Sequence, residues 1–135
     1  MLKPGASFLF NVWDRIETND VANIVTEGLA KLFPDDPPRF LARTPHGHHD
    51  QGKLRAELKA AGFARVEIEA VTHRGYARSA RDAAAGYCQG TPLRAEIEAL
   101  GDLERATKYA AEAVAARLGN RAIDGQIQAV VVNAA

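Results

Sequence analysis

Residues 2–14 read Leu2-Lys3-Pro4-Gly5-Ala6-Ser7-Phe8-Leu9-Phe10-Asn11-Val12-Trp13-Asp14. The Lys3-Pro4-Gly5 stretch reads as a turn. Ala6–Trp13 reads as a strand, because Phe and Val at this density, bounded by Pro-Gly and by Asp, suit extended backbone. Phe8, Phe10 and Val12 share one face of that strand; Leu9, Asn11 and Trp13 share the other. Both faces are mostly apolar, so a strand covered on both sides is expected, as in α/β folds.

Downstream, the spacing of Val21, Ile24, Val25, Gly28, Leu29 and Leu32 predicts an amphipathic helix over residues 19–33. Thr18 or Asn19 can cap its start, and Pro34 ends it. A long loop over residues 34–50 follows, with Pro34, Pro37, Pro38, Pro45 and Gly47 and room for a short turn over 38–42. Loops of this length inside a compact domain often serve function. Residues 50–61 predict a second helix with Leu54 and Leu58 inward and Gly62 just past its end. Val66, Ile68 and Ala70 alternate with Arg65, Glu67 and Glu69, which predicts a half-exposed strand over 64–72. Ser79 and Asp82 have capping-box spacing at the head of a helix over 79–89. Thr91-Pro92 opens another helix with Leu93, Ile97 and Leu100 inward. After a break at Gly101-Asp102, a further helix runs from Leu103 to Leu118. The last strand covers 125–133, with Ile127, Ala129 and Val131 on one face and Val130 and Val132 on the other. The order is β-α-α-β-α-α-α-β, about five helices and three strands in one domain.

The chain has 135 residues, enough for one domain with a substantial core. Apolar residues make up 47% and charged residues 25%, which excludes disorder and fibrous repeats. The 17 basic and 17 acidic residues cancel, so no global field draws the chain to nucleic acid or to an acidic membrane. No apolar run approaches the roughly 20 residues of a membrane helix, and the N-terminus lacks a signal-peptide pattern. A lone cysteine, Cys88, cannot form an internal disulfide, which points to a reducing cytoplasm.

The opening LKPGASFLFNVWD resembles a segment of the class I S-adenosylmethionine-dependent methyltransferases, in which Leu-Lys-Pro-Gly-Gly leads into the fifth strand of a seven-stranded sheet. Here Ala6 stands in place of the second glycine. Ala61-Gly62-Phe63 before a strand, then helices and a terminal strand, match the C-terminal half of that fold. The resemblance spans essentially all of this chain but only about the last half of a family member. It implies an α/β class (α+β when the half is taken alone). It also implies a three-stranded mixed sheet in the order first-last-middle, with the last strand antiparallel. The family's glycine-rich turn and ribose-binding acid have no counterpart, so no cofactor-binding residue carries over and none is expected for this chain alone. The abrupt start at Met1-Leu2-Lys3-Pro4 then marks where the S-adenosylmethionine half would stand. With that half missing, the first strand has an unpaired edge. FLFNVW is apolar, uncharged and free of proline, so a homodimer through residues 6–13, with a continuous six-stranded sheet, is expected.

Candidate ligand-binding residues fall in three places. His46, His48 and His49 with Asp50 offer either zinc ligands, substrate contacts, or a solvent loop with Asp50 capping the next helix. Asn11 and Trp13 end the first strand, where open α/β sheets bind ligands; Asn11 offers a hydrogen bond and Trp13 a stacking surface. Tyr87 and Arg94 flank a helix-helix connection. An arginine in a first helical turn opposes the macrodipole, which leaves it available to an anionic ligand. Cys88 has no nearby base to make it a nucleophile. Three functions remain: a truncated methyltransferase-like protein without independent catalysis, a small-molecule methyltransferase completed by a separate cofactor half, and a small-ligand-binding α+β protein.

Overall fold

Three strands, β1 (Phe8–Trp13), β2 (Val66–Ala77) and β3 (Ile123–Ala134), form one sheet in the order β1-β3-β2. The computed structural model describes residues 2–3 and 5–135. Met1 and Pro4 lie outside the described residues, and with Pro4 the centre of the expected Lys3-Pro4-Gly5 turn. Around that position Ala6 donates its N–H to the Lys3 carbonyl at 3.0 Å, and Gly5 takes a left-handed φ of 79°.

The strand order is the expected first-last-middle. β3 runs antiparallel to both neighbours, from Phe8↔Ala134 to Trp13↔Ala129 on one side and from Val66↔Ala134 to Ala77↔Ile123 on the other. The architecture is α+β. Six helices accompany the sheet: α1 (Asp20–Leu32), α2 (Phe40–Arg43), α3 (Gln51–Ala60), α4 (Ala80–Cys88), α5 (Leu93–Leu100) and α6 (Leu103–Leu118). The helix beyond the expected five is α2, a single turn inside the proline-rich loop. A 3-10 turn, Ile16–Thr18, links β1 to α1.

Two cores divide the molecule. On one face of the sheet, Val66, Val130, Val132 and Ala134 meet Leu54 and Leu58 of α3, with Phe10, Val12, Phe63 and Ile68 around them. The other core is helical. It joins α1, α4, α5 and α6 through Val25, Leu29, Ala84, Leu93, Ile97, Ala110 and Val114, and takes in Leu41 and Ile123. α1 and α6 approach so closely that a Cβ on Gly28 would lie 3.1 Å from that of Ala113. The small residues of the alanine-rich stretch are the means of that approach. Asp50, Ser79 and Asp102 each accept a backbone N–H at the head of α3, α4 and α6, at 2.7 to 3.0 Å.

Three expectations need correction. The first strand is covered on one side only: Leu9 is 70% and Trp13 43% exposed, and Asn11 is exposed beside them. The helical core meets that face near Ile123 and Gly125 and leaves the upper part bare. Second, β2 extends to Ala77 rather than to Thr72. His73, Arg74 and Gly75 break the alternation, yet the ladder to Ile127, Gln126 and Gly125 continues through them. Backbone pairing with β3, not side-chain pattern, holds this end.

The third concerns Asn19, whose side chain does not cap α1. β1 leaves the sheet at Asp14, while β3 still has backbone groups facing that space at Gln128. Asp14 donates its N–H to the Gln128 carbonyl at 3.1 Å. Asn19 Nδ2 donates to the same carbonyl at 3.2 Å, and Asn19 Oδ1 accepts the Gln128 N–H at 3.0 Å. Asp20 takes the next inward N–H, that of Gln126, at 2.7 Å. Side chains thus replace a strand where the strand has ended. Asn19 is 2% exposed, so water cannot substitute for it. Asn19→Ala should therefore cost about 2 kcal/mol, the price of buried groups left without partners. Urea unfolding followed by circular dichroism measures this, and a shift below half that size would mean the Gln128 backbone finds another partner.

Candidate functional site

The end of β1 opens onto a cleft of about 320 Å³. β1 contributes Trp13, and the turn into α1 contributes Asn19. The proline-rich loop contributes Phe40, Leu41, Thr44, Pro45 and His46; the α4–α5 connection contributes Tyr87, Gly90, Thr91 and Pro92. Among the described residues no charged side chain lines it.

The loop is held over the cleft from outside. Glu96 of α5 accepts the N–H groups of Arg39 and Phe40 at 2.9 and 3.0 Å, so a carboxylate from another helix opens α2. Arg43 pairs with the same carboxylate. Burial opposes the charge on Glu96, but Arg43 and the two backbone N–H groups outweigh it and hold the carboxyl below its ordinary range. Leu41 sinks into the helical core. Gly47 is required where the loop turns back, since a Cβ there would sit 2.0 Å from the Arg43 carbonyl oxygen.

His46 is the pivot of the site. It is 5% exposed, and its ring lies 5.9 Å from that of Trp13, centre to centre. Its Nδ1 lies 2.8 Å from the Asp14 carbonyl oxygen. A carbonyl can only accept, so Nδ1 carries the proton and Nε2 of the neutral ring is an acceptor. Burial lowers the pKa of His46, against the pull of the Asp14 carbonyl. Among the described residues, no buried side-chain nitrogen or oxygen lacks a partner. Nε2 has no hydrogen-bond partner among the described residues, so it is not wholly enclosed, and the cleft is the open space that the ring lines. The same reasoning applies to the Tyr87 hydroxyl, whose pKa burial raises. Two other polar side chains are committed: Thr91 donates to the Tyr87 carbonyl at 2.7 Å and accepts from Leu93 at 3.2 Å, and Asn19 is bonded to the Gln128 backbone.

Of the six candidate residues, the structure brings together Trp13, His46 and Tyr87. Asn11 lies outside, exposed on the bare sheet face opposite Val131. His48 points away, with Nε2 3.2 Å from Glu57 on α3. Among the described residues no group of His, Cys, Asp and Glu is arranged to hold a metal ion. His46 is locked to Asp14, His48 faces Glu57, and Asp50 caps α3. Arg94 also lies outside the cleft. It pairs with Glu98 one turn along α5 at 2.8 Å, which gives the first-turn arginine a local partner rather than an anionic ligand. Cys88 is buried, its thiol pushed up to about 11 mainly by burial, with Thr107 beside it.

Asn19, Phe40 and Thr91 were not singled out as site residues by their sequence. Asn19 and Thr91 carried only capping signals, and Phe40 sat in a loop without periodicity. Gln128 carries no local signal, because its partners lie 109 and 114 residues away.

No family model matches the chain, and no curated protein matches it. Among the described residues, no helix is long and apolar enough to cross a membrane.

The lowered pKa of His46 has a consequence for stability. The folded chain takes up the His46 proton less readily than the unfolded chain. The contribution of neutral His46 is therefore full above its ordinary value of about 6.5 and is lost as pH falls below it. Unfolding free energies of wild type and His46→Gln, measured between pH 8 and pH 5, should converge on acidification. Parallel curves would mean that His46 titrates as it does in the unfolded chain.

Proposed function

We propose that this chain is a truncated class I S-adenosylmethionine-dependent methyltransferase-like protein. In this reading it corresponds to the acceptor-facing half and has no independent catalysis. The observation that carries it is the sheet order β1-β3-β2, with the last strand antiparallel between the other two, joined to a cleft at the carboxyl end of β1. Leu2-Lys3-Pro4-Gly5 leading into β1, and Gly62, with φ 98°, between α3 and β2, agree with it.

The residues present do not fit S-adenosylmethionine. That cofactor needs a glycine-rich turn after a strand, where backbone N–H groups approach the ligand. β1 runs instead into Asp14, Arg15 and the 3-10 turn, and β2 into Arg78, Ser79 and α4. A second reading, a small-molecule methyltransferase completed by a separate cofactor half, is favoured by His46 in the cleft wall, whose Nε2 is an acceptor without a partner among the described residues. The cytoplasm suits either reading, given the single buried thiol.

Self-association through residues 6–13 belongs to the same reading. Both outer edges of the sheet, β1 and β2, lack a neighbouring strand. β2 carries Glu67, Glu69, His73 and Arg74, charges and polar groups that guard an edge against pairing. β1 has no charged residue, and Leu9 and Phe8 are exposed on it. Pairing of β1 with a second copy about a two-fold axis gives one six-stranded sheet.

Light scattering at micromolar concentration should give the mass of a dimer, and Leu9→Lys should give a monomer. A stable wild-type monomer overturns the edge pairing. Calorimetric titration of the chain with S-adenosylmethionine should show no saturable heat; micromolar binding would overturn the reading of the chain as lacking its cofactor half.

A further inference from the structure

The cleft at the end of β1 has a definite chemical character. Among the described residues it is lined by no charged side chain. Arg43, next to the lining residue Thr44, is engaged by Glu96, and Arg94 by Glu98. The nearest buried carboxylate, Asp14, is also spent. Its Oδ1 accepts from the Arg15 N–H and its Oδ2 from Gln128 Nε2, each at 2.7 Å. An anion entering the cleft loses its hydration without gaining a counter-charge, and so does a cation. The site selects against both signs.

Its walls are flat and apolar. The ring of Trp13 is 43% exposed beside His46, an unusual surface for the largest side chain in the protein, and Phe40, Pro45 and Pro92 complete the walls. Tyr87 and Thr91 separate the cleft from a second cavity of about 260 Å³ beside Gly75 and Gly125. Among the polar groups of the lining, the His46 ring has a fixed sense. Because the Asp14 carbonyl fixes the proton on Nδ1, Nε2 of His46 can only accept. A ligand that fills the cleft must therefore bring a donor, or leave a nitrogen desolvated and unpaired.

We propose that the Trp13–His46–Tyr87 cleft takes a planar, uncharged compound bearing a hydroxyl group, of the phenol class, which lies against Trp13 and donates its O–H to Nε2 of His46. This rests on the reading of the cleft as the acceptor side and adds the class of acceptor. About 320 Å³ accommodates two fused aromatic rings.

Trp13 is the one tryptophan in the sequence, so its indole N–H gives a single side-chain signal in a nitrogen-15 correlation spectrum. Three probes of one shape are titrated at neutral pH: 2-naphthol, 2-methoxynaphthalene, which has no O–H, and 2-naphthoate, which is an anion. The naphthol should move the Trp13 signal saturably and bind roughly tenfold more tightly than the ether, the difference one well-placed hydrogen bond makes. The naphthoate should bind most weakly. His46→Phe keeps a flat ring and removes the acceptor, so it should erase the gap between naphthol and ether. If that variant fails to fold by circular dichroism, the comparison on the wild-type chain decides. Equal affinity for naphthol and ether, tightest binding of the naphthoate, or no movement of the Trp13 signal overturns the assignment. The two readings fail separately. Correct ordering of the probes, with no methyl transfer to 2-naphthol once a cofactor-binding half is supplied, removes the methyltransferase reading and leaves the ligand class standing. Methyl transfer to a charged acceptor does the reverse.

Discussion

The structure turns on how β3 is satisfied after β1 leaves it. A strand that ends beside a longer one strands the backbone of its partner, and buried N–H and C=O groups without partners cost more than most single contacts contribute. Here Asp14, Asn19 and Asp20 supply the missing partners to Gln126 and Gln128. Because the Asn19 and Asp20 side chains belong to the end of the turn and to the first residue of α1, the solution also anchors the helical core against the sheet. Gln128 returns the bond through its own side chain to Asp14.

The candidate site is a consequence of that anchoring. With Asp14 held to Gln128, its carbonyl is left facing the proline-rich loop, and His46 uses it. One bond fixes the ring, its tautomer and its distance from Trp13. The loop reaches that position because Glu96, on a helix more than 50 residues downstream, holds Arg39, Phe40 and Arg43. The cleft is thus assembled from four segments, none of which forms it alone. Its polar character is equally collective: Glu96 takes up Arg43, the Arg15 N–H and Gln128 take up the Asp14 carboxylate, and His46 is left as an acceptor beside the exposed Trp13.

The bare face of β1 has a different origin. Leu9, Asn11 and Trp13 share it with Val71, Ile127, Ala129 and Val131, and the helical layer meets it only at the far end of β3. The sheet therefore carries one covered face, against α3, and one face that is partly exposed. Glu67, Glu69 and His73 of β2 lie on the same face, so its apolar part is confined to the middle of β3 and to β1, whose edge carries no charged residue.

The sequence alone determined the strands, the helical stripes of α1, α3 and α6, the caps at Asp50 and Ser79, and the inward faces of Val130 and Val132. Each of these rests on periodicity or on hydrogen bonds within a few residues, which the order of residues along the chain encodes directly. Trp13, His46 and Tyr87 stood out as residue types, but so did Asn11, His48 and Arg94, and nothing local separates the two groups. Only the tertiary structure did so. Arg94 has a carboxylate one turn along its own helix, and His48, in the loop just ahead of α3, has Glu57 of that helix, while His46 has a backbone carbonyl 32 residues distant that no pattern announces. The role of Asn19 was likewise invisible, because its partner lies 109 residues along the chain and the need for it arises only once β1 and β3 are paired at unequal length.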